Sequence, residues 1–162
     1  MAKKGVEKTN VMRTLDQKKI PYTAHTYPHG DDPIDGVTVA GIIGRAPEQV
    51  FKSLVARGSS KKILVFVIPV AAELDLKKAA KAAGEKSVAM IHVSEITALT
   101  GYVRGGCSPV GMKKLYFTAF DASCLTLETM IVSAGKIGFQ IETAPRNLID
   151  LTRGTTFDLT VD

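Results

Sequence analysis

The feature that most constrains this sequence is a continuous apolar run from Ile63 to Ile68, which ends at Pro69. It is rich in β-branched residues, as buried strands are, and it is too short to cross a membrane. A Gly-Ser-Ser turn signal lies at residues 58–60, and residues 50–57 before it are also largely apolar. That earlier segment fits either a short helix or a strand. The turn favours a strand from about Phe51, so we predict a β-hairpin.

Helical and strand patterns alternate along the remaining sequence, without repeats or low-complexity segments. We therefore predict an α+β fold around one sheet, with a flexible tail at residues 1–8 and a single domain at residues 9–162. Helices are expected at residues 10–19, 37–44, 76–83, 94–99 and 145–152, with Thr9 or Asn10, Asp75 and Ser94 as N-caps. Further strands are expected at residues 22–27, 87–91, 115–120, 128–133 and 137–142, with a tight turn at residues 134–136 and an edge strand at residues 155–161.

Composition and charge narrow the classes of function. The chain has 162 residues, 45% of them apolar and 23% charged, with a net charge of +5. That mild positive charge is compatible with a polyanionic partner such as RNA, although most such charges lie on solvated faces. Cys107 and Cys124 without a Cys/His cluster predict a reducing, cytoplasmic setting and no metal site. The sequence shows no signal peptide, Walker loop or dinucleotide fingerprint, so we expect no cofactor and no membrane association.

A glycine-rich segment at residues 101–114 lies between two apolar segments. Its glycines permit positive φ angles and let the backbone approach a bound group, while Pro109 restrains the turn. Arg104, Lys113 and Lys114 place positive charge on both sides. Two interpretations stay open at this point: a loop that holds a polar or anionic ligand, and a connector that needs unusual dihedral angles.

Lys52 is unusual because it lies near the start of a predicted strand among apolar residues. It is either an edge lysine whose ammonium group reaches water or a functional group of a site. No catalytic triad is recognisable, since Ser108 and Ser133 have no histidine at a motif spacing. Cys107 is a candidate nucleophile, but a small buried side chain in a glycine-rich turn is the favoured interpretation.

Four segments in one order carry a family resemblance: Phe51-Lys52-Ser53-Leu54-Val55, residues 69–80, Gly101 to Pro109, and Val132-Ser133-Ala134-Gly135-Lys136. In this combination the sequence resembles the YbaK/EbsC family, and more narrowly the YbaK-type Cys-tRNA(Pro) deacylases. These proteins are related to the editing domain of bacterial prolyl-tRNA synthetases. The likeness extends from about Thr9 to Leu159. It implies a cytoplasmic deacylase with a mixed, strongly curled, barrel-like sheet flanked by helices.

The resemblance also implies which residues act. Lys52 occupies the lysine position of the F-K-S/T-L motif, where an ammonium group can engage the tRNA 3′ end or charge developing on the ester. Gly105 belongs to the family's G-G-x-S-P loop, whose backbone amides can approach the substrate. With Lys52 and Gly105 as catalytic residues, the implied substrate-binding residues are Tyr27, which can stack on the terminal base, Ser53, Gly106, Ser108, Pro109, Ser133 and Gln140.

In the mechanism that the resemblance implies, the thiol of the substrate cysteine attacks its own ester, which explains the absence of a triad. Gln140 departs from relatives that carry an aspartate there, so the general base is left open. The implied partners are the 3′ end of Cys-tRNA(Pro) and, as a hypothesis, prolyl-tRNA synthetase. The alternatives are a sister deacylase for another aminoacyl-tRNA and a non-catalytic protein that binds tRNA or a synthetase.

Overall fold

The computed structural model describes residues 7–162, and its strands form two sheets. The five-stranded sheet has the order β4-β2-β3-β5-β8, and the three-stranded sheet has the order β1-β7-β6. Pairing is antiparallel except between β3 and β5 and between β5 and β8, so the larger sheet is mixed. The strands are β1 (Thr23–Thr26), β2 (Phe51–Gly58), β3 (Ile63–Pro69), β4 (Val88–Met90), β5 (Phe117–Asp121), β6 (Met130–Ser133), β7 (Phe139–Thr143) and β8 (Thr155–Phe157).

The predicted hairpin is confirmed, because β2 and β3 pair from Phe51–Pro69 to Arg57–Ile63. The α+β class is confirmed as well. The single, strongly curled, barrel-like sheet is not supported, since neither sheet closes within residues 7–162. The two sheets meet at an isolated bridge between Val50 and Ile131. That ladder does not continue along β2, which pairs with β3 and β4 instead, so the strands remain in two open sheets.

Local sequence accounts for the helices. Asp75 caps α3 by accepting hydrogen bonds from the backbone of Lys77 and Lys78, and Gly84 ends the helix with a φ of 69°. Ser94 is not an N-cap as predicted: a 3₁₀ turn at Val93–Glu95, capped by His92, precedes α4. The helices are α1 (Asn10–Gln17), α2 (Gly36–Ile43), α3 (Leu76–Ala83), α4 (Ile96–Thr100) and α5 (Pro145–Thr152).

Three further predictions differ from the structure. The connection between β6 and β7 covers residues 134–138 and is longer than the tight turn predicted there. The last strand ends at Phe157. Most of the predicted tail, residues 1–6, lies outside the described residues, while Glu7 pairs with Lys136 and Lys8 pairs with Asp16.

Apolar side chains from α1, α5 and both sheets fill the main core, and a second cluster lies between α3 and the larger sheet. A small third cluster joins Ala40, Val50, Val70 and Ile131 at the bridge between the sheets. This cluster anchors α2 beside the start of β2, where the sheets separate. Among residues 7–162, no helix combines the length and apolar character that spanning a membrane requires.

Candidate active site

A cavity of about 610 Å³ lies where the two sheets separate. Its wall is formed by the start of β2, the beginning of α2, the glycine-rich loop, the end of β6, the beginning of β7, and the segment from β4 to α4. Of the site residues predicted from sequence, the wall contains Tyr27, Lys52, Ser53, Gly105, Ser133 and Gln140. The fold therefore brings together residues that are distant in the sequence.

Lys52 is half-buried in the part of β2 that β4 does not cover. Burial lowers the pKa of its ammonium group, and the charge of Glu73 opposes this shift only in part. No carboxylate in residues 7–162 forms an ion pair with Lys52. An edge lysine directed only toward water would not be desolvated in this way. The Lys52 ammonium is thus a cation of the cavity that forms no ion pair with a described carboxylate.

Gly105 lies where the glycine-rich loop touches the loop before α2. Its φ is 86°, and a Cβ atom added there would lie 2.6 Å from the Cβ atom of Pro33. Only glycine accommodates both conditions without displacing the backbone. No acceptor within residues 7–162 pairs with the Gly105 N–H, so this amide is available to a ligand.

Gly106, Ser108 and Pro109 do not line this cavity. The Gly106 N–H donates to Val103 O at 3.0 Å, and an added Cβ atom would lie 2.9 Å from the backbone nitrogen of Ile137. Ser108 is 0% exposed, and its hydroxyl oxygen accepts a hydrogen bond from Val110 N. These residues support the loop from outside the cavity wall, and the substrate contact that the resemblance implied for them stays a prediction.

Cys107 lines the cavity, but its thiol is a poor nucleophile. Burial raises its pKa to about 11, and a hydrogen bond involving Thr100 offsets this only in part. The group therefore stays protonated at neutral pH, and thiols react mainly as thiolates. This agrees with the sequence-based preference for a packing role.

Ser133 and Gln140 face each other across β6 and β7 and form the polar side of the wall. Gln140 is only 7% exposed, and its Oε1 atom accepts no hydrogen bond from any described residue. An unsatisfied buried acceptor costs about 1–3 kcal/mol, so native proteins rarely leave one without a water or ligand donor. Gln140 therefore leaves one unpaired acceptor beside the cavity, and that acceptor is itself buried.

Tyr27 follows β1 and is 5% exposed, with its ring packed edge-on to His29. Tyr27 lines the cavity but exposes little of its ring, and stacking of a base on it stays a prediction.

Sequence reasoning missed two groups of wall residues. Asp35 is the acidic side chain of the wall among residues 7–162. It caps α2, and hydrogen bonds from the Thr38 hydroxyl and backbone lower its pKa, so it carries a charge at neutral pH. The pattern of an aspartate three residues before a threonine indicates this cap. The second group is apolar, and no local sequence pattern identifies it as part of the wall. It comprises Met90, Ile91, Val93 and Ile96.

Glu142, two residues beyond Gln140 on β7, is a buried carboxylate whose oxygens accept hydrogen bonds from four residues. Burial opposes its ionisation, but hydrogen bonds and the charge of Arg45 outweigh burial and lower its pKa. Because protein side chains already donate to both of its oxygens, we assign Glu142 a structural role. Its partners are Thr129 at 2.6 Å, His25 at 2.8 Å, Arg45 at 3.1 Å and Gln49 at 3.3 Å. No group of three potential metal ligands occurs within residues 7–162.

Comparison with known proteins shows which family and which individual proteins the sequence is similar to. A sequence profile described as the aminoacyl-tRNA editing domain matches residues 36–151. The sequence is 44% identical over 158 residues to EbsC of Enterococcus faecalis, a protein named as a candidate Cys-tRNA(Pro)/Cys-tRNA(Cys) deacylase; this covers 98% of this chain and 96% of that protein. YwhH of Bacillus subtilis, named as uncharacterized, is 27% identical over 70% of this chain and 71% of its own length.

Solved structures share the fold. A crystal structure described as a candidate trans-editing enzyme for prolyl-tRNA synthetase has a TM-score of 0.80 at 23% identity, covering 94% of each chain. The hypothetical protein APE2540 has a TM-score of 0.83 at 21% identity, covering 94% of this chain and 100% of that chain. At these identities the likeness concerns the fold alone.

Proposed function

Because this chain belongs to the family of aminoacyl-tRNA editing domains, we propose that it removes cysteine from mischarged Cys-tRNA(Pro). In this proposal residues 9–162 act as one deacylase domain in the cytoplasm, where tRNAs are charged. The cavity receives the aminoacylated 3′ end. Membership of the family makes the chain an aminoacyl-tRNA deacylase; cysteine as the amino acid rests on the name of the Enterococcus relative.

The observation that carries this proposal is the meeting of three groups in one cavity: the unpaired Lys52 ammonium, the free Gly105 N–H and the unsatisfied Gln140 Oε1. An aminoacyl ester offers a complement to each. Its carbonyl oxygen becomes negative during attack and accepts from cationic or amide donors, while its α-ammonium donates. Gln140 carries no formal charge, and it accepts from the α-ammonium once its buried Oε1 atom turns toward the cavity. Ser53 and Ser133 complete the polar wall.

Substrate-assisted chemistry fits a site in which no described side chain is an activated nucleophile. The substrate's thiolate sulfur bonds to the ester carbonyl carbon, and the bond from that carbon to the ribose oxygen breaks. The ribose oxygen takes a proton, which frees the tRNA and leaves a cyclic thioester that water opens to cysteine. Well-oriented intramolecular nucleophiles reach effective molarities on the order of 10⁵–10⁸ M, so positioning supplies much of the rate. Lys52 and Gly105 stabilise the developing oxyanion.

The deciding test is release of labelled amino acid from Cys-tRNA(Pro), with Ala-tRNA(Pro) and Pro-tRNA(Pro) as comparison substrates. We expect rapid release of cysteine alone, and a loss of about 10²–10³ in kcat for Lys52→Ala because an oxyanion donor is removed. Lys77→Ala is the matched control, since Lys77 is exposed on α3, away from the cavity.

Other outcomes separate the alternatives. Release of alanine at a rate comparable to cysteine would show that the substrate thiol is not required and would indicate a sister deacylase. Measurable tRNA binding without release of any amino acid would indicate a non-catalytic binder.

We also propose that prolyl-tRNA synthetase supplies the selectivity for tRNA(Pro). The cavity is sized for the 3′ end alone, and the net charge of +5 is too small to read a tRNA body closely. The Enterococcus relative is named for both Cys-tRNA(Pro) and Cys-tRNA(Cys), as expected for an enzyme that does not distinguish tRNA bodies by itself.

A further inference from the structure

Part of the cavity wall is an apolar surface that the proposed chemistry does not use. Met90 on β4 is 44% exposed, and Val93 in the following 3₁₀ turn is 55% exposed. Half-buried Ile91 and Ile96 extend the same wall, and we refer to these four residues as the apolar shelf. Single exposed apolar residues are ordinary, but several in one cavity wall indicate a binding surface.

We propose that the apolar shelf binds the adenine base of the 3′-terminal nucleotide; this inference rests on the proposed deacylase function. The cavity, at about 610 Å³, is several times larger than a cysteinyl group requires. It is within the range of sites that hold a whole small-molecule ligand. The substrate must therefore fill it with more than its amino acid, and the terminal nucleoside is the part next to the ester.

The cavity has a polar part and an apolar part, and so has an aminoacyl-adenosine. The ester and α-ammonium are polar and suit Lys52 and Gln140, whereas the base is flat and aromatic. A polarisable methionine side chain packs favourably against an aromatic ring. Tyr27, the other candidate platform, is 5% exposed and offers almost no ring face. The exposed guanidinium of Arg104, also in the wall, is suited to the phosphate that follows the terminal ribose.

A double-mutant comparison tests the apolar shelf. The enzyme variant is Met90→Ala/Val93→Ala, and the substrate change replaces the terminal adenine of Cys-tRNA(Pro) with an abasic ribose. A methionine sulfur against an aromatic ring is worth about 0.3–1.5 kcal/mol, so on the adenine substrate the variant should lose between about 2- and 12-fold in kcat/KM. On the abasic substrate the variant and the wild type should agree within about twofold. Leu125→Ala/Val161→Ala is the control, since both side chains are exposed outside the cavity.

Equal losses on the two substrates would overturn the proposal, because the apolar shelf would then act on the ester end or on the fold. No loss on either would overturn it too. A change in discrimination between Cys- and Ala-tRNA without dependence on the base would show that the shelf contacts the amino-acid side chain.

A binding measurement keeps this test separate from the deacylase proposal. A fluorescent single-stranded RNA ending in CCA is titrated beside the same RNA ending in an abasic ribose. Wild-type protein should prefer the CCA end, and the Met90→Ala/Val93→Ala variant should lose that preference. If the preference is present but no aminoacyl-tRNA is cleaved, the deacylase proposal fails while the apolar shelf stands.

Discussion

Gly105 shows how one residue without a side chain couples the loops around the cavity. Its positive φ and its contact with Pro33 bring the glycine-rich loop against the loop that leads into α2. Gly105 lines the cavity, and no acceptor among residues 7–162 pairs with its N–H. The family resemblance identifies this glycine, but only the structure explains why a side chain is excluded there.

We expect Gly105→Ala to reduce both activity and stability. A left-handed conformation costs a residue with a Cβ atom about 1–2 kcal/mol, and Pro33 must also move. Since a displacement of about 1 Å at a site can cost 10²-fold, kcat/KM should fall by about 10- to 100-fold. Urea unfolding and the deacylase assay measure the two effects.

Gly41→Ala is the matched control, because Gly41 lies in α2 with nothing within 4 Å of an added Cβ atom. That change should leave activity intact and raise helix stability by about 0.5–1 kcal/mol. If Gly105→Ala behaved like Gly41→Ala, the proposed need for glycine at residue 105 would be wrong.

At the scale of elements, Glu142 ties the three-stranded sheet to its surroundings. Its carboxylate on β7 binds His25 on β1, Thr129 before β6, and Arg45 and Gln49 in the connection from α2 to β2. Gln140, on the same strand, lines the cavity. The Glu142 network therefore positions the polar wall relative to the start of β2.

We expect Glu142→Gln to destabilise the protein at pH 7 by about 2 kcal/mol, because hydrogen bonds to a buried charge are weakened. The folded-state pKa of Glu142 lies below its ordinary value of 4.5. The carboxylate therefore contributes stability above pH 4.5, and this contribution is lost as the pH falls through the lower folded-state pKa.

Unfolding in urea at pH 7 and at pH 3 should thus show a large difference between wild type and Glu142→Gln at pH 7 and a smaller one at pH 3. Other acids with lowered pKa values are common to both proteins and cancel in this comparison. A difference independent of pH would mean that the packing of Glu142, not its charge, stabilises the network.

The elements that sequence predicted well are those fixed by neighbouring residues. The β2–β3 hairpin follows from a turn and two apolar segments, and α3 follows from Asp75 and Gly84 at its ends. The division into two sheets arises because the pairing between Val50 and Ile131 does not continue along β2, which no local pattern indicates. The residues of the site differ in the same way in how well the sequence predicts them. Lys52 is recognisable from its motif, whereas Met90 becomes a wall residue only because β4 packs beside β2.

At the scale of the whole molecule, the proposed division of tasks between this chain and a synthetase predicts how selectivity for tRNA(Pro) arises. We expect the isolated protein to deacylate Cys-tRNA(Pro) and Cys-tRNA(Cys) at rates within a few-fold. Addition of prolyl-tRNA synthetase should favour Cys-tRNA(Pro), because the second protein holds the tRNA body and raises the local concentration of its 3′ end.

Initial rates on both substrates, with and without the synthetase, measure this selectivity. Alanyl-tRNA synthetase at the same concentration controls for non-specific effects. If the isolated protein already separated the two tRNAs as sharply as the mixture does, the proposed division of tasks would fail.

The parallel pairing of β3 with β5 has a consequence for how the molecule is made. Leu64 pairs with Phe117, and the apolar shelf and the glycine-rich loop lie in the chain between them. β1 likewise cannot pair until β7 has been synthesised, since Thr23 pairs with Glu142. A chain still emerging from the ribosome can form the β2–β3 hairpin early, but contacts between distant segments form late. Lys52 is thus synthesised long before its cavity is complete, and a nascent chain that stops before β7 lacks Gln140 and with it the polar wall.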